Sequence, residues 1–355
     1  MLTLEVLPAG HGDCLWIEYG DPASPWRILI DGGAQGTYKR ALQSRLARAK
    51  GELELLVITH VDGDHIAGVL EMIADARGSV KPRDVWFNAF RHLPNEDPET
   101  LGPLQGEKLT DYLVNQRARW NVAFDRKAAV VPDRGELPRL ELAGKLALTL
   151  LSPTVQALAD LRPVWLKEVR KAGLDPNMAE PQETAAEEGF ELLESGTPDV
   201  EALAAVPFVE DSSEPNGSGI AMLLEFEGHR ILLAADAHPG MLASAIKRHN
   251  GDQRLKLAAC KIPHHGSKAN VSRQLLDRLD CDTYIFSTNG AHFRHPDREG
   301  VARVIKWGGS DLKLIFNYET PFTEVWKPKY LKEQFHYDAT FPEAESSQGI
   351  VLSFQ

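Results

Sequence analysis

The sequence predicts an α/β fold of two mixed β-sheets that face each other, with helices on the outer faces. Two observations carry this. Short apolar runs that read as strand hairpins open each half of the chain, and strands then alternate with helices. One large domain, 1–355, is expected. A chain of 355 residues with 43% hydrophobic content can bury the core that such a fold needs.

Thr3 to Leu7, Cys14 to Tyr19 and Trp26 to Ile30 read as the first strands, and Tyr38 to Ala49 has helical periodicity. The apolar run Leu53 to Ile58, extended to Thr59, reads as a buried strand. An amphipathic helix follows from Ile66 to about residue 77. Asp84 to Asn88 is a short strand, and Glu107 to Trp120 reads as a helix with Leu109, Tyr112, Leu113 and Trp120 on its apolar side. Leu146 to Leu151 is a strand ending at Ser152-Pro153, and Val155 to Ala172 is helical. Residues 174–214 are rich in Pro, Glu, Ala and Ser with weak periodicity. They are expected to form an acidic accessory insertion, helical near Ala185 to Leu193. Ala221 to Phe226 and Arg230 to Ala235 form a hairpin turned at Glu227-Gly228. Helices at 239–249, 271–279 and 297–307 then alternate with strands at 255–262, 282–287 and 312–318, and Gln348 to Phe354 closes the chain as a strand.

Between the strand ending at Thr59 and the helix beginning at Ile66 stand His60, Asp62, Asp64 and His65, in the pattern HxDxDH. In an extended turn His60, Asp62 and Asp64 can point one way, and His65 joins them as the helix begins. Imidazole and carboxylate together suit a divalent cation of intermediate hardness. Asp and Gly are also ordinary turn residues, so a plain surface turn is the alternative. Four donor side chains within six residues favour the metal.

This stretch resembles the metal-binding signature of the metallo-β-lactamase superfamily, usually HxHxDH. It is more similar still to the branch related to the hydrolase domain of the competence protein ComEC, where the second His is Asp and the motif ends in His-Ile-Gly-Gly; here the ending is His65-Ile66-Ala67-Gly68. Gly10-His11-Gly12-Asp13-Cys14 with Ile28-Leu29-Ile30-Asp31-Gly32-Gly33 resembles the family's opening hairpin. Asn216-Gly217-Ser218-Gly219-Ile220 with Ile231 to Asp236 resembles its central hairpin. Pro263-His264-His265-Gly266-Ser267 and Arg294-His295-Pro296 resemble its last two His motifs, so five blocks in order span residues 1 to about 310.

The resemblance implies the αββα metallo-β-lactamase sandwich, with two divalent metal ions at one edge between the sheets. Carried over, His60 and Asp62 hold metal one, Asp64 and His65 hold metal two, and Asp236 is shared by both. An N-cap for the helix near Pro239 is the alternative role of Asp236. One of the pair His264 and His265, with His264 preferred, is the further ligand of metal two; a buried structural His pair is the alternative. His295 is either a ligand or a proton donor beside the leaving group. Asp64, Asp236 and His295 are thus the expected catalytic residues. His11 stands where the relatives usually have Gln. Asp31 holds a turn or partners a ligating His. Ser267 and Lys268 donate to a phosphate oxygen or are solvated.

The chain departs from the lactamase pattern twice. Asp62 puts a hard oxygen where the family has imidazole, and no His stands where the third ligand of metal one is expected, shortly before Asp236. The nearest upstream candidates are Asn216 and Ser218. Metal one is then oxygen-rich, and manganese or magnesium suits it as well as zinc. The implied function is a metal-dependent hydrolase that attacks with a metal-bridged hydroxide. A phosphodiesterase or nuclease acting on DNA or RNA is preferred. Hydrolysis of a thioester, lactone or lactam is the second reading. A degenerate metal-site binding or regulatory module is the third, from a different class.

The net charge of -12 is concentrated. Residues 172–229 contain no Lys or Arg and 14 Asp and Glu; the remaining 37 acidic residues face 39 basic ones, so a phosphate-bearing substrate is not excluded. The acidic insertion can meet a protein partner or cover the site. Cys14, Cys260 and Cys281 have no zinc-like spacing and read as reduced core residues. With no leader pattern and no apolar run of membrane-spanning length, a cytoplasmic protein without membrane contact is expected.

Overall fold

Successive side chains along the early strands enter different cores. Ile17, Ile28, Ile30, Leu55 and Val57 belong to a core shared with the second sheet, whereas Trp16, Leu29 and Leu56 belong to a core shared with helices. This period of two is what turns one sheet into the boundary between two layers. The computed structural model describes residues 1–75, 80–94, 104–171, 196–343 and 349–355.

One sheet has six strands, in the order Ile350–Phe354, Leu2–Val6, Leu15–Tyr19, Trp26–Ile30, Leu55–Val57, Val85–Trp86. The other has eight, in the order Tyr337–Thr340, Leu312–Phe316, Thr283–Phe286, Ala259–Lys261, His229–Leu233, Met222–Phe226, Ala147–Leu150, Arg139–Glu141. The helices Gly63–Ala74, Leu104–Asn115 and Val155–Lys171 cover the first sheet through Ile66, Val69, Met72, Leu109, Leu113 and Leu158. The helices Pro239–Asn250 and Arg298–Trp307 cover the second through Leu242, Ile246, Val301 and Val304. The architecture is an αββα sandwich.

Both sheets are mixed, and their parallel parts position the site. Trp26–Ile30 runs parallel to Leu55–Val57, and His229–Leu233, Ala259–Lys261 and Thr283–Phe286 run parallel to one another. Parallel strands deliver their carboxyl ends, and the loops that follow them, to one edge. Ile30, Val57, Leu233, Lys261 and Phe286 therefore hand over to Asp31, His60, Asp236, the His264-His265 pair and Ser287 at neighbouring places.

Several boundaries differ from the pattern-based reading. The strand expected over 53–59 divides at Glu54: Glu52–Leu53 pairs with Lys81–Pro82, and Leu55–Val57 enters the main sheet. The helix after the ligand turn begins at Gly63 rather than Ile66, which takes Asp64 and His65 into its first turn. The helix expected to reach Trp120 stops at Asn115, and Trp120 is buried by bridging to Val85 instead. The strands Arg139–Glu141 and Tyr337–Thr340 lie at the edges of the second sheet, where a half-exposed strand needs little apolar signal. The helix expected near Ala185 to Leu193 lies outside the described residues. Residues 196–214, the second part of the acidic segment, pack on the fold: Val200 and Ala204 of the helix Val200–Ala205 are buried in the main core. Among the described residues, no helix is long and apolar enough to cross a membrane.

Candidate metal centre

Asp236 Oδ2 is the point on which the site converges. His65 Nε2 and His265 Nε2 each lie 3.4 Å from it. His264 Nε2 lies at 3.8 Å and His60 Nε2 at 3.9 Å. Asp64 Oδ2 closes one side, 3.8 Å from His65 Nε2 and 3.5 Å from His265 Nε2, and Asp62 Oδ2 stands 3.5 Å from His60 Nε2. His60, His65, His265 and Asp236 are buried, while the Asp62 side chain is 38% exposed.

Each imidazole is held by its other nitrogen. His65 Nδ1 donates to Asp31 Oδ2 at 2.8 Å. Thr59 gives its only hydroxyl hydrogen to Asp31 Oδ2 at 2.7 Å, so its oxygen accepts from His60 Nδ1 at 2.9 Å. His265 Nδ1 donates to the Ser287 carbonyl at 2.7 Å. Asn270 spends its Nδ2 on Asp211 Oδ2 and on the Asp236 carbonyl, so its Oδ1 accepts from His264 Nδ1 at 2.9 Å. Four imidazoles thereby turn Nε2 lone pairs toward one carboxylate oxygen. His60 Nε2, His65 Nε2 and His265 Nε2 are buried with no hydrogen-bond partner. Lone pairs facing a carboxylate at these spacings need a positive charge between them. A cation with bonds of about 2.0–2.2 Å would hold such atoms roughly 3–3.6 Å apart, so the donor set fits a divalent metal.

The electrostatics agree. Burial pushes His65 and His265 down, but Asp236 and the other carboxylates outweigh it and hold both well above the ordinary imidazole range. Burial pushes Asp236 up, yet His265, His65 and His264 hold it well below the carboxylate range. Without a cation, protons on the imidazoles balance the carboxylates, and cation binding must displace them. Cation loading is therefore expected to release protons, and affinity to fall toward acid pH; calorimetric titration in two buffers of different ionisation enthalpy measures this, and zero proton release would contradict it.

Close backbone approach explains the glycines of the motifs. A Cβ on Gly32 would stand 2.3 Å from the Val69 nitrogen, and one on Gly12 would stand 1.7 Å from the Asp64 carbonyl oxygen. The turn after Trp26–Ile30 thus seats directly on the ligand helix, where Gly32 N donates to the His65 carbonyl at 2.8 Å. Ala235, His264 and His265 take left-handed φ of 48°, 45° and 54°. Each costs roughly 1–2 kcal/mol. The bonds from His264 N to the Ala235 carbonyl, 3.0 Å, and from Ser267 N to the His264 carbonyl, 2.8 Å, hold the turn in place.

The structure brings together His60, Asp62, Asp64, His65, Asp236, His264 and His265. Within the His pair, His265 rather than His264 stands beside Asp64 and His65, with its Nδ1 donating to the Ser287 carbonyl. Asn216 and Ser218 are engaged elsewhere, Asn216 Nδ2 donating to Asp211 Oδ2 at 2.7 Å and Ser218 Oγ to the Pro215 carbonyl at 2.6 Å. Asp236 does not cap the helix Pro239–Asn250, whose N-cap is His238. The His295 ring lies 5.2 Å from that of His264, with Nδ1 3.5 Å from Asp297 Oδ1. Lys268 Nζ faces Glu299 at 3.8 Å, and Ser267 Oγ accepts from Ala269 N at 3.2 Å. His11, His292 and the half-exposed Phe293 form a ring cluster that continues to His295.

Asp31 takes the second of its two expected roles, as the partner of His65. Asp31→Ala is expected to lower cation affinity about 10–100-fold while leaving the ligand set complete. Equilibrium dialysis against manganese measures it, and an unchanged dissociation constant would assign Asp31 to the turn alone.

Sequence reasoning missed Asp13, Lys261, Asp211 and Asn270. Lys261 is fully buried, and its Nζ pairs with Asp13 Oδ2 and lies 3.9 Å from Asp236 Oδ1. Burial pushes Asp13 up, but Lys261 and His265 bring it down to about 2. A lone Lys in the apolar run Ala258-Ala259-Cys260-Lys261-Ile262 was the available signal. Nothing in the sequence pointed to Asp211.

No protein-family model and no curated protein matches the sequence. Similar solved structures include Zn²⁺-bound PqqB from Methylobacterium extorquens, at 11% identity over 99% of this chain and 100% of that one, with a TM-score of 0.41. A diphosphatase from the PhnP family is similar at 11% identity over 100% and 98%, with a TM-score of 0.40. The diiron β-hydroxylase CmlA from Streptomyces venezuelae is similar at 14% identity over 84% of this chain and 46% of that one, with a TM-score of 0.37; the chain spans less than half the length of that protein. At such TM-scores none of these likenesses carries function. With its motifs gathered around one carboxylate at the edge between two facing sheets, the chain has the αββα sandwich fold of the metallo-β-lactamase superfamily and motifs that resemble that superfamily's metal-site signature.

Proposed function

We propose that the protein is a hydrolase of phosphodiesters that works with two divalent cations, and that DNA or RNA is its substrate. The observation that carries this is the donor set: Asp62 stands beside His60 where an imidazole would make the site softer, and Asp236 Oδ2 faces both halves of the cluster. His60, Asp62 and Asp236 would hold one cation; Asp64, His65, His265 and Asp236 would hold the other. The ComEC-like branch is the part of the superfamily whose motif this set matches. Bound there, divalent cations supply Lewis acidity, which acidifies a water and neutralises charge on phosphoryl oxygens.

The chain's own residues do the rest. Asp31 and Ser287 fix His65 and His265 in one tautomer. Asp297 faces His295 Nδ1, which orients that ring and leaves its Nε2 to protonate the leaving oxygen. His295→Ala is expected to lower turnover about a hundredfold or more at unchanged cation content.

The test is hydrolysis of a bis-aryl phosphate and of single- and double-stranded DNA and RNA, each with Mn²⁺, Mg²⁺ and Zn²⁺. Turnover is expected to be greater in manganese than in zinc, because oxygen donors suit the harder cation. No activity on any of these, alongside clear turnover of a thioester or lactone, would move the assignment to acyl hydrolysis.

A further inference from the structure

We propose that Phe293, with His292 and His11 beside it, is a stacking platform for an unpaired nucleobase, so that the substrate is single-stranded nucleic acid rather than duplex. The inference rests on the phosphodiester reading above and adds a binding surface outside the cation ligands. A row of ring contacts links the site to the surface. The His295 ring lies 5.2 Å from that of His264, and Phe293 lies 6.0 Å from His295 at an interplanar angle of 27°. His292 meets Phe293 edge to face at 4.3 Å. His11 meets both, at 5.2 Å from His292 and 6.1 Å from Phe293. At one end of the row His264 faces Asp236; at the other, Phe293 is 52% exposed and His292 is exposed.

Two features separate this row from ordinary surface packing. Single exposed apolar side chains are common on protein surfaces, but this one is joined to the site through His295. The backbone beneath it is also fixed before any ligand arrives. Asn289 N donates to the Gly10 carbonyl at 2.8 Å, which ties the loop 287–297 to the loop that carries His11. Within the first loop, Ala291 N donates to Asn289 Oδ1 at 2.9 Å and Arg294 N to the Gly290 carbonyl at 3.0 Å; Asp297 N reaches the Gly266 carbonyl at 3.2 Å. An aromatic face held in this way loses little freedom when it binds. Any base can stack on it, because every base has a π-face. In a duplex the base is already stacked and paired, so the platform could take it only after unpairing. Phe293 flanks His295, which faces the leaving oxygen in the proposed reaction, so the base it takes belongs to the leaving side of the scissile bond.

The experiment compares wild type, Phe293→Ala and Phe293→Trp in manganese. It measures kcat and KM on a short single strand, and the anisotropy of a fluorescent phosphorothioate strand that resists hydrolysis. Each strand is used intact, with abasic sites, and annealed to its complement. Phe293→Ala is expected to weaken binding of the intact single strand, and to raise its KM, by about 5–150-fold, with kcat changed by less than about threefold. Phe293→Trp is expected to restore both. Abasic sites are expected to cost the wild type a similar factor and to cost Phe293→Ala little more. The wild type is expected to bind the single strand more tightly than the duplex, and Phe293→Ala to lose most of that preference. Equal affinity of wild type and Phe293→Ala for the intact strand, or an equal loss in both on abasic substitution, would overturn the platform; hydrolysis alongside either result would leave the proposed reaction standing. Base-dependent binding through Phe293 without hydrolysis in Mn²⁺, Mg²⁺ or Zn²⁺ would sink the reaction alone. No binding of any strand would overturn both.

Discussion

Asp236→Asn is expected to reduce turnover to background and to lower bound cation content. Asp236 Oδ2 lies within 3.9 Å of four imidazole Nε2 atoms, so the imidazoles of the cluster converge on it. The amide keeps the shape and removes the charge, so the imidazoles lose the anion that holds a cation among them. Two measurements bear on this: metal content by elemental analysis, and the rate on a bis-aryl phosphate under the best cation. Equal rates in wild type and variant would trace the activity to a contaminating nuclease. A full cation complement in the variant would remove Asp236 from the ligand set.

Lys261→Met is expected to destabilise the fold by about 3–5 kcal/mol, because it strands the buried Asp13 carboxylate without its ammonium partner. Asp13→Asn with Lys261→Met together should recover much of that loss, since neither charge is then left alone. Urea unfolding in the presence of a chelator reads both, so that cation loss does not enter. The pair of exposed Lys268 and half-buried Glu299 is the contrast: Lys268→Met is expected to change stability by no more than about 1 kcal/mol. A Lys261→Met variant as stable as wild type would mean that Asp13 rebuilds its partners locally.

The turn with four potential ligands was legible because those four side chains are local. Their spacing, the apolar run before them and the helix after them are properties of one short stretch. Glycines 12 and 32 were legible as motif positions but not as reasons, since the atoms they make room for belong to the Asp64–Val69 segment. The choice between His264 and His265 was not legible. Adjacent residues have the same local chemistry, and only the Ser287 carbonyl, 22 residues away, and the Asn270–Asp211 pair tell them apart. The role of Asp211 was hidden for the same reason. It sits in a segment whose acidic, weakly periodic composition reads as an accessory insertion, yet Val200 and Ala204 of that segment are buried in the core and Asn216 Nδ2 donates to Asp211.

The sequence by itself determined the layered α/β architecture, the hairpins and the turn with four potential ligands, because each of these follows from periodicity or from donors close together in the chain, whereas the later residues that join the turn were implied by the family resemblance. Only the tertiary structure decided which nitrogen of each imidazole is free, which carboxylate is shared, and that a buried Lys261–Asp13 pair underlies the site. Most of those depend on partners tens to hundreds of residues apart, such as Asp31 for His65, Ser287 for His265 and Asp13 for Lys261, and parallel strands ending at one edge are what bring them within hydrogen-bond reach.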